Sequence, residues 1–355
     1  METKIIQCNT ENFDPECIRE AADCLREGGL VAFPTETVYG LGGDGMNPRA
    51  AAKIYGAKGR PSDNPLILHI ADEACVDRIA MEVSGRARRL MDAFWPGPLT
   101  IILKKRPEVP YETTGGLDTV AIRMPSHPVA LELIRQSGVY VAAPSANTSG
   151  RPSPSKASHV YQDLAGKIDY ILDGGEVDIG IESTIVDMTG DQPLILRPGY
   201  ITPEMLKEHI GEVVYDPGIM GVDRNVRPKA PGMKYTHYAP KGELSIVEGS
   251  PDAVVKHINR LVREKQQAGG RVGVLATAET ADRYEADVVL TMGRRSEPVT
   301  VAAKLYACLR DFDDRGIAYM YSESFAGDSF GNAIMNRLLK AAGHRVIRAD
   351  EDVVR

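Results

Sequence analysis

The sequence predicts an α/β protein in two parts: a larger N-terminal domain over residues 1–212 and a smaller parallel-sheet domain over 243–355. A linker over 213–242 joins them. Three observations predict this. Apolar runs of strand length alternate with amphipathic helical segments along the whole chain. A chain of 355 residues is long enough for about two separately packed cores. Residues 216–242 are rich in Pro, Gly and charge with little periodicity, as a loop between domains is, and a segment of that length usually serves as a lid or active-site loop.

Composition narrows the class. A hydrophobic content of 43% and a charged content of 26% are those of an ordinary globular protein. The net charge of −7 argues against a surface built to coat nucleic acid, while leaving room for a local basic cleft. METKIIQC lacks the apolar core of a signal peptide, and no run reaches transmembrane length, so the expectation is a cytoplasmic protein without a membrane partner. The cysteines at 8, 17, 24, 75 and 308 are odd in number and show no CxxC pairing. Reduced thiols are expected, and structural zinc is not.

In order, Asp14-Pro15 starts a helix whose apolar stripe is Ile18, Ala21, Ala22 and Leu25, and Gly28-Gly29 ends it. Cys17 and Cys24 read as buried thiols on that helix. Residues 30–45 (LVAFPTETVYGLGGDG) begin as a buried strand that Pro34 stops. The hydroxyls of Thr35, Thr37 and Tyr39 follow, and then Gly40, Gly42, Gly43 and Gly45, where backbone N–H groups can approach a ligand. A polar turn at a strand's C-terminal end is where open α/β sheets place ligands, so this stretch reads as the floor of a small-molecule site. Gly40-x-Gly42-x-x-Gly45 spells the dinucleotide fingerprint but lacks its context: the glycines do not lie directly between strand and helix, and no acidic residue ends a second strand at the expected distance.

Asn47-Pro48 caps a second helix running through Ile54-Tyr55. The loop that follows carries Lys58, Arg60 and Asn64. It reads either as a phosphate or carboxylate clamp or as a solvated charged face. It leads into the strand 66–70, in which His69 reads by default as a satisfied core histidine. A helix over 85–94 precedes the strand 99–103, which Lys104-Lys105-Arg106 closes as solvated charges. In the strand 119–125, Thr119 and Arg123 fall on one face, and an arginine so placed suits a carboxylate or phosphate. A helix over 128–136 precedes the strand 139–143. That strand repeats the opening theme, running into Pro144, Ser145, Asn147 and, further along, Ser153. Two such strand ends share one cleft if their strands are neighbours. Residues 181–187 and 194–199 form a hairpin pair carrying Ser183 and Arg197. Surface turn chemistry explains any one of these loops, but explains four cation- and hydroxyl-bearing strand ends less well.

Beyond the linker, strands at 244–247, 271–275, 287–290 and 317–321 alternate with helices over 252–267, 299–312 and 332–342. This pattern indicates a parallel sheet with no chemical constellation of its own. It reads either as a regulatory, lid-supporting domain or as a passive docking module. No Walker A sequence, HExxH or Gly-x-Ser-x-Gly elbow is present. The available groups are hydroxyls, backbone N–H groups and the cations Lys58, Arg60, Arg123 and Arg197. They suit binding a nucleoside triphosphate and promoting its reaction by positioning and charge stabilisation.

PTETVYGLG, KGRPSDNPLILHI, TVAIRMPSHP, APSANTSG, ESTIVD and LRPG, in this order, resemble the YrdC-type family. APGMKYTHYAP followed by about 115 residues resembles its long, two-domain threonylcarbamoyl-AMP synthase form. The resemblance implies a twisted open mixed sheet with helices and a concave basic cleft, followed by a Rossmann-like parallel α/β domain. It implies a nucleotidyltransferase that converts L-threonine, bicarbonate and ATP to threonylcarbamoyl-AMP and pyrophosphate, with Mg2+ carried mainly on the ATP phosphates. A partner tRNA threonylcarbamoyl transferase complex would use the product, and direct tRNA binding would be weak at most. Carried over by position, Thr35, Thr37, His69, Arg123, Ala143 and Ser183 would hold threonine. Lys58, Arg60, Asn64, Thr119, Ser145, Asn147, Ser153 and Arg197 would hold ATP, with Lys58 and Arg60 acting in catalysis. Tyr235 or Tyr238 would close the site.

Two other readings stand beside this one. An RNA-binding module is disfavoured by the acidic charge and by basic residues confined to loops. A carbamoyl-transfer domain of hydrogenase-maturation type would carry zinc-type cysteine clusters, which this sequence lacks.

Overall fold

The structure, a computed structural model, describes residues 2–8, 13–219, 230–231, 237–325 and 329–349. The chain forms two compact units, residues 1–149 with 153–235, and residues 150–152 with 236–355.

The first unit is built on one mixed sheet. In chain order its strands are β1 (Lys4–Gln7), β2 (Val31–Phe33), β3 (Gly40–Asp44), β4 (Ile67–His69), β5 (Ala80–Met81), β6 (Leu99–Lys105), β7 (Thr119–Arg123), β8 (Val141–Ala142), β9 (Tyr170–Asp173), β10 (Thr184–Asp187), β11 (Leu194–Arg197) and β12 (Val214–Tyr215). Their spatial order is β1-β9-β2-β3-β8-β4-β7-β6-β10-β11-β12, with β5 paired to β6. Both faces are covered, which is why residues 30–33 read as an uninterrupted apolar run. Leu30 and Ala32 pack with Leu41, Leu68, Ile122 and Val186 on one face. Val31 and Phe33 pack with Ile18, Leu25, Val129 and Leu133 on the other. A smaller cluster joins Ile67, Ile102, Ala121, Ile185 and Leu196 to Ala230 of the segment read as a linker.

Local chemistry sets several boundaries. Asn47 accepts the Arg49 N–H at 3.0 Å, and Pro48 opens the helix Pro48–Lys58. Asp14 caps the turn Pro15–Ile18 in the same way, and the helix Arg19–Arg26 continues it. Cys17 and Cys24 on this segment are half-buried rather than buried.

Three further readings are corrected. The glycines after Tyr39 do not offer N–H groups to a ligand; Gly40, Gly42 and Gly43 lie in β3, paired antiparallel to β2 and β8, and the Gly45 N–H is bonded to the Tyr140 carbonyl at 2.7 Å. They are glycines because neighbours lie too close for a side chain. A Cβ on Gly42 would stand 2.8 Å from Val141 Cγ1 and 2.9 Å from Phe33 Cε1. The loop of two cations is also redrawn, since Lys58 is the last residue of its helix. Lys105, read as solvated, is buried and donates to the Val109 carbonyl at 3.0 Å.

The second unit is a fully parallel five-stranded sheet of β13 (Glu243–Glu248), β14 (Val272–Ala276), β15 (Val288–Thr291), β16 (Tyr319–Glu323) and β17 (Val346–Arg348). Its spatial order is β15-β14-β16-β13-β17. The helices Pro251–Gln267, Pro298–Asp314 and Ser329–Ala341 connect these strands. Residues 150–152 belong with this unit, where Arg310 donates to the Pro152 carbonyl through Nε at 3.2 Å and Nη2 at 2.6 Å. Among the described residues no helix is long and apolar enough to cross a membrane.

Candidate active site

The sheet register sets the site. Val141 on β8, His69 on β4, Arg123 on β7, Thr100 on β6 and Ile185 on β10 are successive register partners. Residues directly opposite one another project to the same face. At the end of this row the β10–β11 register shifts: Ile185 opposes Arg197 while Val186 opposes Ile195, which leaves Leu196 as an extra residue. Such a bulge re-aims a side chain, and here it adds Arg197 to the row. Thr119 lies on the same face of β7 as Arg123, opposite Lys104 and only partly buried.

The turn after β2 reaches this row. Thr35 Oγ1 accepts the N–H groups of Thr37 and Val38, at 3.1 and 3.2 Å, and lies 2.9 Å from Thr37 Oγ1. Arg123 Nη1 donates to Thr37 Oγ1 at 2.9 Å, and its Nε donates to the Gly97 carbonyl at 3.3 Å. Its Nη2 lies 2.7 Å from Glu36 Oε1, and both side chains are almost wholly buried. Glu36 Oε2 accepts the Ser126 N–H at 3.2 Å. His69 is buried, with Nδ1 3.0 Å from the Ile67 carbonyl. Burial, helped by the neighbouring Arg123 charge, lowers its pKa to about 3, so the ring is neutral at physiological pH. Ala143 is buried beside it, its N–H bonded to the Ile67 carbonyl at 2.9 Å.

Ser183 is fixed from two sides. Thr100 Oγ1 is 2.8 Å from its hydroxyl, and Arg197 donates to its Oγ at 3.0 Å and to its carbonyl at 2.9 Å. Ser153 donates to the buried Glu182 at 2.6 Å. Lys58 is buried, and its Nζ donates to the carbonyls of Ser145 and Asn147, while Ser145 Oγ donates to Asn147 Oδ1 at 2.5 Å. Arg60 donates to the Asn64 and Pro65 carbonyls at 3.3 and 3.1 Å. Asn64 Oδ1 is buried without a hydrogen-bond partner among the described residues.

Backbone bonds join these groups. Gly40 bridges Ser145, the Ala146 N–H reaches the Tyr39 carbonyl at 2.8 Å, and the Tyr39 N–H reaches Pro154 at 2.9 Å. The two proline-terminated strand ends therefore meet, because β3 pairs with β8. Tyr238 belongs to the second unit. Its ring stacks on Tyr306 within the second unit, with centroids 5.1 Å apart. Tyr235 lies outside the described residues. Sequence reading gave no role to Glu36, Thr100 or Glu182. A carboxylate between two threonines and a hydroxyl inside the apolar run LTIIL were the available signals.

Among the described residues no group of three His, Cys, Asp or Glu side chains is arranged to hold a metal ion. The arrangement thus offers a neutral imidazole, two guanidiniums and several fixed hydroxyls on one face. The Lys58 ammonium at the end of its helix and the Arg60 guanidinium just beyond it add two further cations.

Comparison with known proteins extends this picture. The Sua5/YciO/YrdC profile, described as "Telomere recombination", matches residues 23–199. The profile "Threonylcarbamoyl-AMP synthase, C-terminal domain" matches residues 201–343. The chain is 54% identical over 336 residues to a threonylcarbamoyl-AMP synthase of Bacillus subtilis, covering 94% of this chain and 95% of that one. It is 47% identical over 331 residues to a protein of the same name from Pyrococcus abyssi, covering 93% and 95%. The crystal structure of P. abyssi Sua5 complexed with L-threonine superposes with a TM-score of 0.93 at 46% identity, covering 98% of this chain and 99% of that one. The chain belongs to the Sua5/YciO/YrdC family, in the two-domain form that carries the threonylcarbamoyl-AMP synthase C-terminal domain.

Proposed function

We propose that this protein is an L-threonylcarbamoyladenylate synthase, a nucleotidyltransferase that consumes L-threonine, bicarbonate and ATP and releases pyrophosphate. The observation that carries the reading is the row of His69, Arg123, Thr100 and Arg197 across the sheet, joined to Thr37 and Ser183 by hydrogen bonds. It offers a guanidinium for a carboxylate, and fixed hydroxyls and an uncharged imidazole for a small polar side chain. Thr35, Thr37, His69, Arg123, Ala143 and Ser183 form the threonine subsite in this reading. Lys58, Arg60, Asn64, Thr119, Ser145, Asn147, Ser153 and Arg197 serve ATP. The buried, unpartnered Asn64 Oδ1 suits a ligand donor such as an adenine or ribose group. The Mg2+ that such a reaction uses fits on the triphosphate, because these residues supply cations and hydroxyls rather than a carboxylate cage.

The chemistry asks the chain for positioning. Threonine's amine and bicarbonate give a carbamate and water. A carbamate oxygen forms a bond to the α-phosphorus while the bond to the bridging β-phosphate oxygen breaks, and pyrophosphate leaves. Lys58, Arg60 and Arg197 offset the charge that builds on the departing phosphates. The resulting mixed anhydride is a donor for a transferase that modifies tRNA. The test is pyrophosphate release from ATP with threonine and bicarbonate each present or omitted. Release that needs both, and fails with serine or valine, is the expected result. Release without threonine would leave a plain nucleotide hydrolase.

A further inference from the structure

The Arg123–Glu36 pair carries an inference that rests on the threonine reading and deepens it. A guanidinium has five N–H groups in a fixed plane. One from Nε goes to the Gly97 carbonyl and one from Nη1 to Thr37 Oγ1, while Nη2 lies 2.7 Å from Glu36 Oε1. Nη2 and Glu36 Oε1 make no hydrogen bond among the described residues despite their closeness, so the Nη2 N–H groups and the second one on Nη1 are left for a ligand carboxylate. Glu36 also ties two pieces of chain together: it lies in the turn after β2, and its Oε2 holds the Ser126 N–H just beyond β7. Arg123 is thus oriented by the turn that supplies the threonine-subsite hydroxyls.

The charge count has a second effect. Arg123 and Glu36 together are electrically balanced before any ligand enters. A simple anion brought to Arg123 would add an uncompensated negative charge beside a buried carboxylate, which is costly. A zwitterion brings its own ammonium and leaves the balance intact. We propose that Glu36 is a positioning and specificity-determining residue, which orients Arg123 and restricts the site to α-amino acids over hydroxy acids of the same skeleton.

The test compares the wild-type full chain with Glu36→Gln and Glu36→Asp. Calorimetry gives the affinities for L-threonine and for 3-hydroxybutyrate, which keeps the carboxylate and hydroxyl but lacks the amine. Pyrophosphate release gives kcat and KM. In Glu36→Gln the preference for threonine over 3-hydroxybutyrate is expected to fall about tenfold or more, with kcat lowered by a similar factor. Glu36→Asp keeps the charge and should keep the preference, while its shorter reach lowers kcat. Loss of turnover in Glu36→Gln with the preference unchanged would overturn the proposal and leave Glu36 a fold-supporting group. If Glu36→Gln fails to fold by circular dichroism, Glu36→Asp decides, since a lost preference there overturns the charge argument. A wild-type protein that binds threonine over the hydroxy acid yet releases no pyrophosphate would sink the synthase reading and leave the role of Glu36 standing.

Discussion

His69 and Arg123 are register partners on adjacent parallel strands, and the imidazole of the pair is the group that stays uncharged. Burial is the larger cause and the guanidinium the second, lowering the imidazole pKa from 6.5 to about 3. Between these two values the unfolded chain binds a proton that the folded chain refuses, so stability falls as pH drops through that window. Urea midpoints measured across it should fall more steeply for the wild type than for His69→Asn. Parallel slopes would mean that the ring is not held neutral. Turnover near neutral pH should show no titration of this ring.

Arg123→Ala should weaken threonine binding on the order of a hundredfold while changing ATP binding only slightly. Equal losses would remove Arg123 from the threonine subsite. The same change strands Glu36 as a buried, uncompensated charge and should cost about 3–5 kcal/mol of stability. Pairing it with Glu36→Ala should recover part of that loss, a coupling that denaturant midpoints can read.

Thr100→Val keeps the shape of the side chain and deletes the hydroxyl 2.8 Å from Ser183 Oγ. Stability should fall by about 1 kcal/mol. The KM for threonine should rise several-fold if Thr100 sets the Ser183 rotamer. An unchanged KM would show that Arg197 alone fixes Ser183.

Among the glycines, Gly42→Ala and Gly45→Ala should both destabilise by at least about 1–3 kcal/mol. The second should be worse: its Cβ would lie 2.2 Å from Leu68 Cδ2 and 2.8 Å from the Tyr140 carbonyl oxygen. Gly56 sits in a helix with nothing within 4 Å of a Cβ, so Gly56→Ala should stabilise by about 0.5–1 kcal/mol. Thermal melts of the three variants test this ordering.

Features that local chemistry determines were legible in the sequence. These include the capped helix starts at Asp14 and Asn47, the buried run at 30–33, the hairpin of β10 and β11, and the alternation of the second unit. What was illegible depends on distant partners. Nothing near Lys58 shows that its ammonium meets the carbonyls of residues 145 and 147. A run of glycines looks the same whether it faces a ligand or a packed strand, and only Val141, Phe33 and Leu68 decide between them. The exposed two- to four-residue edge strands β1 and β12 carry too little pattern to find. The cations and hydroxyls at the strand ends were legible from residue type, their division between threonine and ATP came from motif resemblance, and Glu36 and Thr100 emerged only once the register was known.

The cross-strand row ties binding competence to the folding order of the chain. Thr37 meets Arg123 across 86 residues, and Thr100 meets Ser183 across 83. Such long closures are the slow, late steps of folding. A slip of one residue in β4, β6 or β7 would turn that strand's contribution to the opposite face. A chain that has collapsed but not yet settled its pairings therefore has no partly working site. On the threonine reading, the ligand would bind only the finished register, would favour it among nearly folded forms, and should raise the apparent melting temperature.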